Sequence, residues 1–463
     1  MSTLPLAFEK RIRCLLGEEY VRFTDSIKRP FPVSIRINPA KCGDVQKLAG
    51  KLLPESPALR PVPWCANGFY LEKRPVFTLD PHIHGGAYYV QEASSMFIDY
   101  IIRKLSLTGN IKALDICAAP GGKSTLMSSL LPPSALLVSN EVIRSRAAVL
   151  KENTIKWGSP HTVVTSSDPS DFSRLGPCFD LILADAPCSG EGLFRKDPGA
   201  VSEWKEGNLK ICSERQKRIL SDAWKALKSG GYMIYSTCTY NPEENERNIE
   251  WLAETSDAEV VEIPHKFEGI KPGSGNLPSY RFYPHRIEGE GFFIAIIRKL
   301  SNERQEDKTV KYKKSGYAPE AVPKSVTVAI APHIIRPEEF SFYMENNTAG
   351  VIPEAHCEFI RILENRTNLI YKGCELAEIA GKDLKWQPAF ALSNILKRES
   401  FRIRETDKTE ALNYLKRHPI DTEAPKGCWE IVSYDGLPIG WSKSLGSRSN
   451  NYYPKEWRIL MEI

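Results

Sequence analysis

From about residue 108 the chain alternates short apolar runs with longer amphipathic stretches, and most of the apolar runs end in a polar or acidic residue. KALDIC (112–117), ALLVSNE (135–141), TVVTSSD (162–168), FDLILAD (179–185), GYMIYST (231–237), EVVEI (259–263) and GFFIAIIR (291–298) predict seven strands. Continuous apolar character of this kind marks strands buried on both faces, as in a parallel sheet covered by helices. Between them, SRAAVLKENTIKW (145–157) and NLKICSERQKRILSDAWKALKSGG (208–231) read as helices. The second sets Leu209, Cys212, Ile219, Ala223 and Leu227 largely on one stripe, with Gly230-Gly231 as its stop. The prediction is a doubly wound, Rossmann-like α/β domain, whose ligands bind beyond the carboxyl ends of the strands.

The flanks follow other patterns. Residues 1–82 open on a helical stretch, LAFEKRIRCLLGEEYVRF, followed by the alternating PVSIRINPAK, and read as a separate α+β unit. Pro-rich text (LLPESPALRPVPW) leads into the α/β domain at 83–300. SNERQEDKTVKYKKSG (301–316) is charge-dense and reads as a linker, opening an intermediate region of mixed pattern that runs to residue 384. From 385 to 463 short alternating strands, the turn signals DG and LPIG, and interleaved rings and cations predict a small β-rich module.

Composition narrows the class more than the chemistry. Sixty-two basic against 57 acidic residues leave +5, which permits a nucleic-acid partner without requiring one, so the argument has to come from sites. No apolar run approaches the ~18 residues that span a bilayer, and MSTLPLAFEKRIR lacks the order of a secretory signal; the expectation is a cytoplasmic chain with no membrane partner. The 11 cysteines are odd in number, scattered and without a C-x-x-C pair, so neither a disulfide framework nor a metal site is expected.

The first strand of the α/β domain runs into DICAAPGGKST (115–125). Small residues and a Gly-Gly pair there let backbone approach a ligand, yet the run is neither G-x-x-x-x-G-K-[ST] nor G-x-G-x-x-G. Glu141, Asp168 and Asp185 close the next three strands. One such acid is most often a solvated strand end; three beside a Gly-rich turn point to an adenosine-containing cofactor needing no phosphate cradle, and S-adenosylmethionine fits better than NAD or ATP.

Two cysteines stand apart from the rest. Cys188 follows the fourth strand in ADAPCSGEG and Cys238 follows the fifth in STCTY, both among turn-forming polar residues. A lone cysteine in an α/β domain is more often inert filler, which is the reading for Cys14, Cys42, Cys65, Cys178, Cys212, Cys357, Cys374 and Cys428. Neighbouring strands would bring the thiols of Cys188 and Cys238 to one sheet edge. There, a thiolate adding to carbon 6 of a pyrimidine would make carbon 5 nucleophilic, and a second group would help release the product. Asp185 would stabilise charge developing near ring nitrogen 3. The residues alone leave open which thiol attacks. Amino-group methylation is a second reading, disfavoured because its Asp/Asn-Pro-Pro-aromatic loop is replaced here by Asp-Ala-Pro-Cys; an RNA-binding assembly factor with a silent fold is a third, against which the intact Cys188, Cys238 and strand-end acids argue.

ALDICAAPGGKST, SNEVIRSRAAVLKEN, LILADAPCSGEGLFRKDP and YSTCTYNPEENE, with FPVSIRINPAK and HGGAYYVQEASSM, resemble motifs of the NOL1/NOP2/Sun family of RNA 5-methylcytosine methyltransferases. The closing IGWSKSLGSRSNNYYPKEWRI resembles the PUA-like C-terminal module of its bacterial members that act on 16S ribosomal RNA. The resemblance implies that Cys117, Ala118, Ala119, Pro120, Gly121, Gly122 and Lys123 contact S-adenosylmethionine, with Glu141 on its ribose, Asp168 on its adenine side and Asp185 at the reaction centre. It also implies Cys238 as nucleophile, Cys188 as the aid to release, and a chain that works as a monomer on ribosomal RNA or the small ribosomal subunit.

The target base has to be single-stranded or flipped out of its stack. Arg195 and Lys196 are candidates for phosphate contacts, and Trp441, Lys443, Arg448, Tyr452, Tyr453, Lys455 and Arg458 for RNA stacking and phosphate contacts, although rings in a small β module often form its core. Asn241-Pro242-Glu243 is expected to start a helix beside Cys238.

Overall fold

A computed structural model describes residues 4–42, 59–300, 322–381 and 383–462. The charged stretch 301–316 and residues 52–58 of the Pro-rich run lie outside them.

The N-terminal unit carries helices Leu6–Leu16 and Tyr20–Ile27 and a sheet of β1 (Val33–Ile37), β2 (Arg60–Pro61), β3 (Gly68–Leu71) and β4 (Tyr88–Val90), in the order β2-β3-β1-β4. Because β4 pairs with β1, this sheet runs on to residue 90, past the 82 at which the sequence reading ends the unit. Phe8, Ile12 and Phe23 of the two helices bury themselves against Phe194, Trp204, Tyr240 and Tyr283.

Next come β5 (Lys112–Asp115), β6 (Leu136–Asn140), β7 (Thr162–Thr165), β8 (Phe179–Asp185), β9 (Leu227–Thr237), β10 (Ala258–Val261), β11 (Lys271–Pro272), β12 (Tyr280–Phe282) and β13 (Phe292–Lys299). The sheet order is β11-β12-β13-β9-β8-β5-β6-β7, with β10 also on β13, and β9-β8-β5-β6-β7 all parallel. Successive residues of the strands enter different cores. Leu114, Ile182 and Met233 pack with Ile219, Leu220 and Ala223 of helix Gly207–Ala226, whereas Ala113, Leu181 and Ile234 pack with Phe97, Ile98 and Ile101 of helix Phe97–Leu105. This two-sided burial is what continuous apolar runs dictate. The chain moves outward from β5 through β6 to β7, then crosses to β8 on the other side of β5, which opens a switch-point crevice at the carboxyl ends of β5 and β8.

Two expected boundaries shift. Helix 207–226 stops at Ala226, four residues before Gly230, because Leu227 already pairs with Phe179, and Gly230 with φ +78 sits inside the strand. Asn241-Pro242-Glu243 forms a turn, and the following helix starts only at Glu246.

From residue 322 on, the described residues of the intermediate region are a folded part of the molecule. β14 (Phe340–Glu345), β15 (Thr348–Pro353), β17 (Cys374–Ala380) and β18 (Asp383–Trp386) make their own sheet. β16 (Leu369–Lys372) instead joins the β5–β13 sheet antiparallel to β7, and helix Cys357–Arg366 sets Phe359, Ile360 and Leu363 on one of its faces. The C-terminal module orders β19 (Arg402–Thr406), β20 (Trp429–Tyr434), β21 (Leu437–Ser444) and β22 (Ser449–Asn451) in sequence. Asp435-Gly436, both at positive φ, make the β20–β21 hairpin turn, and LPIG lies within β21. Among the described residues no helix is long and apolar enough to cross a membrane.

Candidate active site

Parallel pairing of β8 with β9 places Asp185 opposite Ser236, so the loops that follow both strands leave the sheet side by side. The result is a contact between residues 50 apart in sequence: Cys188 Sγ and Cys238 Sγ are 3.2 Å apart. Cys238 lines an open cleft of about 300 Å³ at the switch point, and Cys188 is outside that lining. The hydrogen bond to Cys238 and burial push the Cys188 thiol well above its ordinary range, with the Glu244 carboxylate adding to the effect. A cation faces the other side. Lys123 Nζ donates to Asp185 Oδ2 at 2.8 Å, while Ser236 Oγ donates to Asp185 Oδ1 at 2.8 Å. Burial opposes the Lys123 charge, but Asp185 outweighs it, so Lys123 holds its proton more tightly than usual.

The turn after β5 forms a second wall, from Cys117, Ala118, Ala119, Pro120, Gly122 and Lys123. Gly121 caps helix Gly122–Leu130 at φ +116, a conformation that a side chain would strain. A Cβ on Gly122 would stand 3.2 Å from the Tyr89 ring, so the missing side chain keeps the backbone open to the cleft. Arg36 of β1, 1% exposed, reaches into this turn, donating to Thr125 Oγ1 at 2.6 Å and Gly122 O at 3.1 Å. Behind it, burial raises the Asp115 carboxyl to about 7 despite a bond from Ser124 Oγ.

Of the remaining acids, Glu141 accepts from Ile143 N at 3.0 Å and pairs with Arg146 at 3.1 Å. Asp168 caps helix Pro169–Ser173 through Ser170 N and pairs with Arg218 at 3.2 Å; these partners overcome its partial burial and hold it below the ordinary carboxylate range. Neither acid lines the cleft. Tyr89, Gln91, Glu290 and Phe292 do, and sequence reasoning singled out none of them, although Tyr89 and Gln91 lie in the quoted HGGAYYVQEASSM.

Other candidates are corrected. Arg195 is unavailable to phosphates, because its guanidinium pairs with Glu290 at 2.8 Å with both side chains nearly buried (6% and 5% exposed) and donates to Gly289 O. Lys196 remains exposed at the cleft. Trp441 and Tyr453 are core, 0% and 2% exposed, and cannot stack on RNA; Lys443 and Tyr452 are part-exposed, and Arg448, Lys455 and Arg458 are on the surface. Cys14, read as inert filler, is exposed; Cys42, Cys65, Cys178, Cys212 and Cys374 are buried, and Cys357 and Cys428 partly so.

Fold and cleft define a Rossmann-like methyltransferase domain between an N-terminal α+β unit and a β-rich C-terminal module. Comparison with known proteins gives the particular branch. Residues 4–93 match the N-terminal domain of 16S rRNA methyltransferase RsmF, 103–298 match 16S rRNA methyltransferase RsmB/F, and 401–459 match the methyltransferase RsmF PUA domain. Ribosomal RNA small subunit methyltransferase F of Erwinia tasmaniensis is 31% identical over 98% of this chain and 96% of its own. The Vibrio cholerae protein of that name is 31% identical over 94% and 93%. Among solved structures, a methyltransferase homolog protein from Pyrococcus horikoshii is 31% identical, covers 64% of this chain and 95% of its own, and superposes with TM-score 0.55. NSun6 from Pyrococcus horikoshii with SFG shares the fold at 22% identity and TM-score 0.56, covering 64% of this chain and 99% of its own. The chain belongs to the ribosomal RNA small subunit methyltransferase F family, and the resemblance read from its motifs is borne out.

Proposed function

We propose that this protein methylates carbon 5 of cytosine in 16S ribosomal RNA, with S-adenosylmethionine as donor, through a transient bond from Cys238 to carbon 6. The observation that carries the reading is the 3.2 Å approach of two free thiols, one of which lines the cleft beside the Lys123–Asp185 pair. The names of the relatives supply ribosomal RNA as the substrate class.

The residues present fit the cofactor. Cys117 to Lys123 offer small side chains and open backbone at a switch point, and no phosphate loop competes. These residues, with Asp185, would hold S-adenosylmethionine, which supplies an electrophilic methyl group when bound; Glu141 and Asp168, outside the cleft lining, would reach its ribose and adenine side only if the cofactor extends past that lining. Cys238, at the cleft wall and on the side of the Lys123 ammonium, is the thiol placed to reach a bound base. Its sulfur adds to carbon 6, and the electron pair of the 5,6 double bond becomes available at carbon 5. At the Asp185 position, the Lys123 ammonium that this carboxylate holds beside the cleft answers the negative charge that develops toward ring nitrogen 3. Once carbon 5 bears the methyl group, a water takes its remaining proton, the electron pair of that C–H bond re-forms the 5,6 double bond, and the sulfur of Cys238 leaves carbon 6 with the bonding pair. Cys188, its sulfur 3.2 Å from that of Cys238, is the group that assists this release.

Single cysteine variants test the assignment. Cys238→Ala is expected to abolish methyl transfer to ribosomal RNA, while Cys188→Ala accumulates a protein–RNA adduct that survives denaturant. The reverse pattern overturns the roles, and a methyl group found by mass spectrometry on the exocyclic nitrogen overturns the chemistry.

A further inference from the structure

Two buried carboxylates tie the cysteine loops to each other, and neither lines the cleft. Glu191, on the Cys188 side and 2% exposed, accepts from Thr239 Oγ1 at 2.9 Å and from Tyr240 N at 3.0 Å on the Cys238 side. Glu244, on the Cys238 side and fully buried, accepts from Ser189 N at 3.0 Å on the Cys188 side. The residues next to the two cysteines touch as well, Ser189 Oγ with Thr239 Oγ1 at 2.8 Å. Outer contacts hold each carboxylate in turn. Trp204 Nε1 donates to Glu191 at 3.2 Å; Gln216 Nε2 donates to Glu244 at 2.7 Å and also to Pro187 O at 3.0 Å. Gly192 N donates to Cys238 O at 2.8 Å, an approach that only a residue without a side chain allows, since a Cβ there would lie 2.8 Å from that oxygen.

Loops that follow strand ends have no ladder to fix their relative height, so the spacing of two thiols on separate loops needs another cause. Charge-assisted hydrogen bonds in a buried site are strong and directional enough to supply it. We propose that Glu191 and Glu244, each rooted beside one cysteine and bonded to the loop of the other, are positioning residues that set the approach of Cys188 to Cys238. The proposal rests on the two-thiol reading above for its catalytic consequence, though not for its geometry. Loosening either carboxylate lets the thiols drift apart, so Cys238 still attacks while Cys188 comes late to the release.

Phenylarsine oxide reads the spacing in the full-length protein without RNA. It forms two As–S bonds with adjacent thiols, losing its oxygen as water with no change of electrons, and bridges the pair only when both sulfurs are within reach. Glu191→Gln and Glu244→Gln are expected to slow bridging of Cys188 to Cys238, mapped by mass spectrometry, by about tenfold, the weight of one buried charge-assisted hydrogen bond. With ribosomal RNA the same variants are expected to accumulate denaturant-resistant adduct, which loss of folded protein would not produce. Thr239→Val, which removes one hydroxyl and keeps the shape, gives the same reading where a glutamate variant fails to fold. Bridging within about twofold of the unaltered protein in folded variants overturns the proposal. If Cys188→Ala yields no adduct, the cysteine roles fail, and the bridging rate alone still decides the brace.

Discussion

Lys41 stands at a crossing of three parts of the chain, its Nζ donating to Gly85 O at 2.7 Å and to Lys156 O at 2.5 Å. Burial, and secondarily the charge of Arg398, lower its pKa from 10.5 to about 7. A cation whose pKa falls on folding favours the neutral amine in the folded state, so its contribution is complete above the unfolded pKa of about 10 and is lost as pH falls toward 7. Thermal stability is therefore expected to rise between pH 7 and 10 more steeply in the unaltered protein than in Lys41→Met, measured by melting curves across that range. Arg195 shows why some residues mislead when read in one dimension. Its partner Glu290 lies 95 positions away, so next to Lys196 it looks like a surface cation. Glu191 and Glu244 escape notice for the same reason, because a carboxylate in a polar run looks solvated until donors as far as 55 residues away close around it. Cys188 and Cys238 were legible because a thiol at a strand end breaks the habit of a residue that prefers apolar company.

At the scale of elements, the helix after the Cys238 loop is secured at its first residue. Glu246 receives Arg281 Nε and Nη2 of β12, each at 2.6 Å, and Arg281 Nη1 also donates to Tyr240 O at 2.6 Å. Both side chains are buried, at 5% and 3% exposed. Arg281→Met leaves that carboxylate buried without its cation and is expected to cost about 3–5 kcal/mol, read as a shift in the denaturant midpoint. Arg281→Met with Glu246→Leu should recover most of that loss, because an apolar pair of similar volume avoids the desolvation of both charges. Strand positions were read to within a few residues, since buried parallel strands write their apolar runs plainly. Helix ends were harder. The 207–226 helix ends where Leu227 finds a strand partner, a tertiary event with no local signal, and the glycines taken for its stop serve the strand instead.

At the scale of the whole molecule, the N-terminal unit and the C-terminal module meet. Tyr453 Oη lies 3.2 Å from His84 Nδ1, the His82 and Tyr434 rings pack at 4.9 Å, and a Cβ on Gly85 would come within 2.4 Å of Leu437. Gly85→Leu is expected to prise this contact open and raise hydrogen exchange across Trp429–Ser444 while leaving β5 to β9 protected. The family motifs made the three-part arrangement legible, but the region from 322 to 386 was not, because one of its strands, starting at Leu369, belongs to a sheet whose first strand starts at Lys112.

That borrowed strand orders events in time. β7 is complete once residue 165 has been synthesised, yet the strand that covers its outer edge begins at Leu369. A ribosome adding about 5–20 residues per second leaves that edge, a row of unpaired amides and carbonyls, bare for roughly 10 to 40 seconds. During that interval the nascent chain is open to strand pairing with its neighbours on the same message. The hazard ends only when the intermediate region folds down on the sheet it completes.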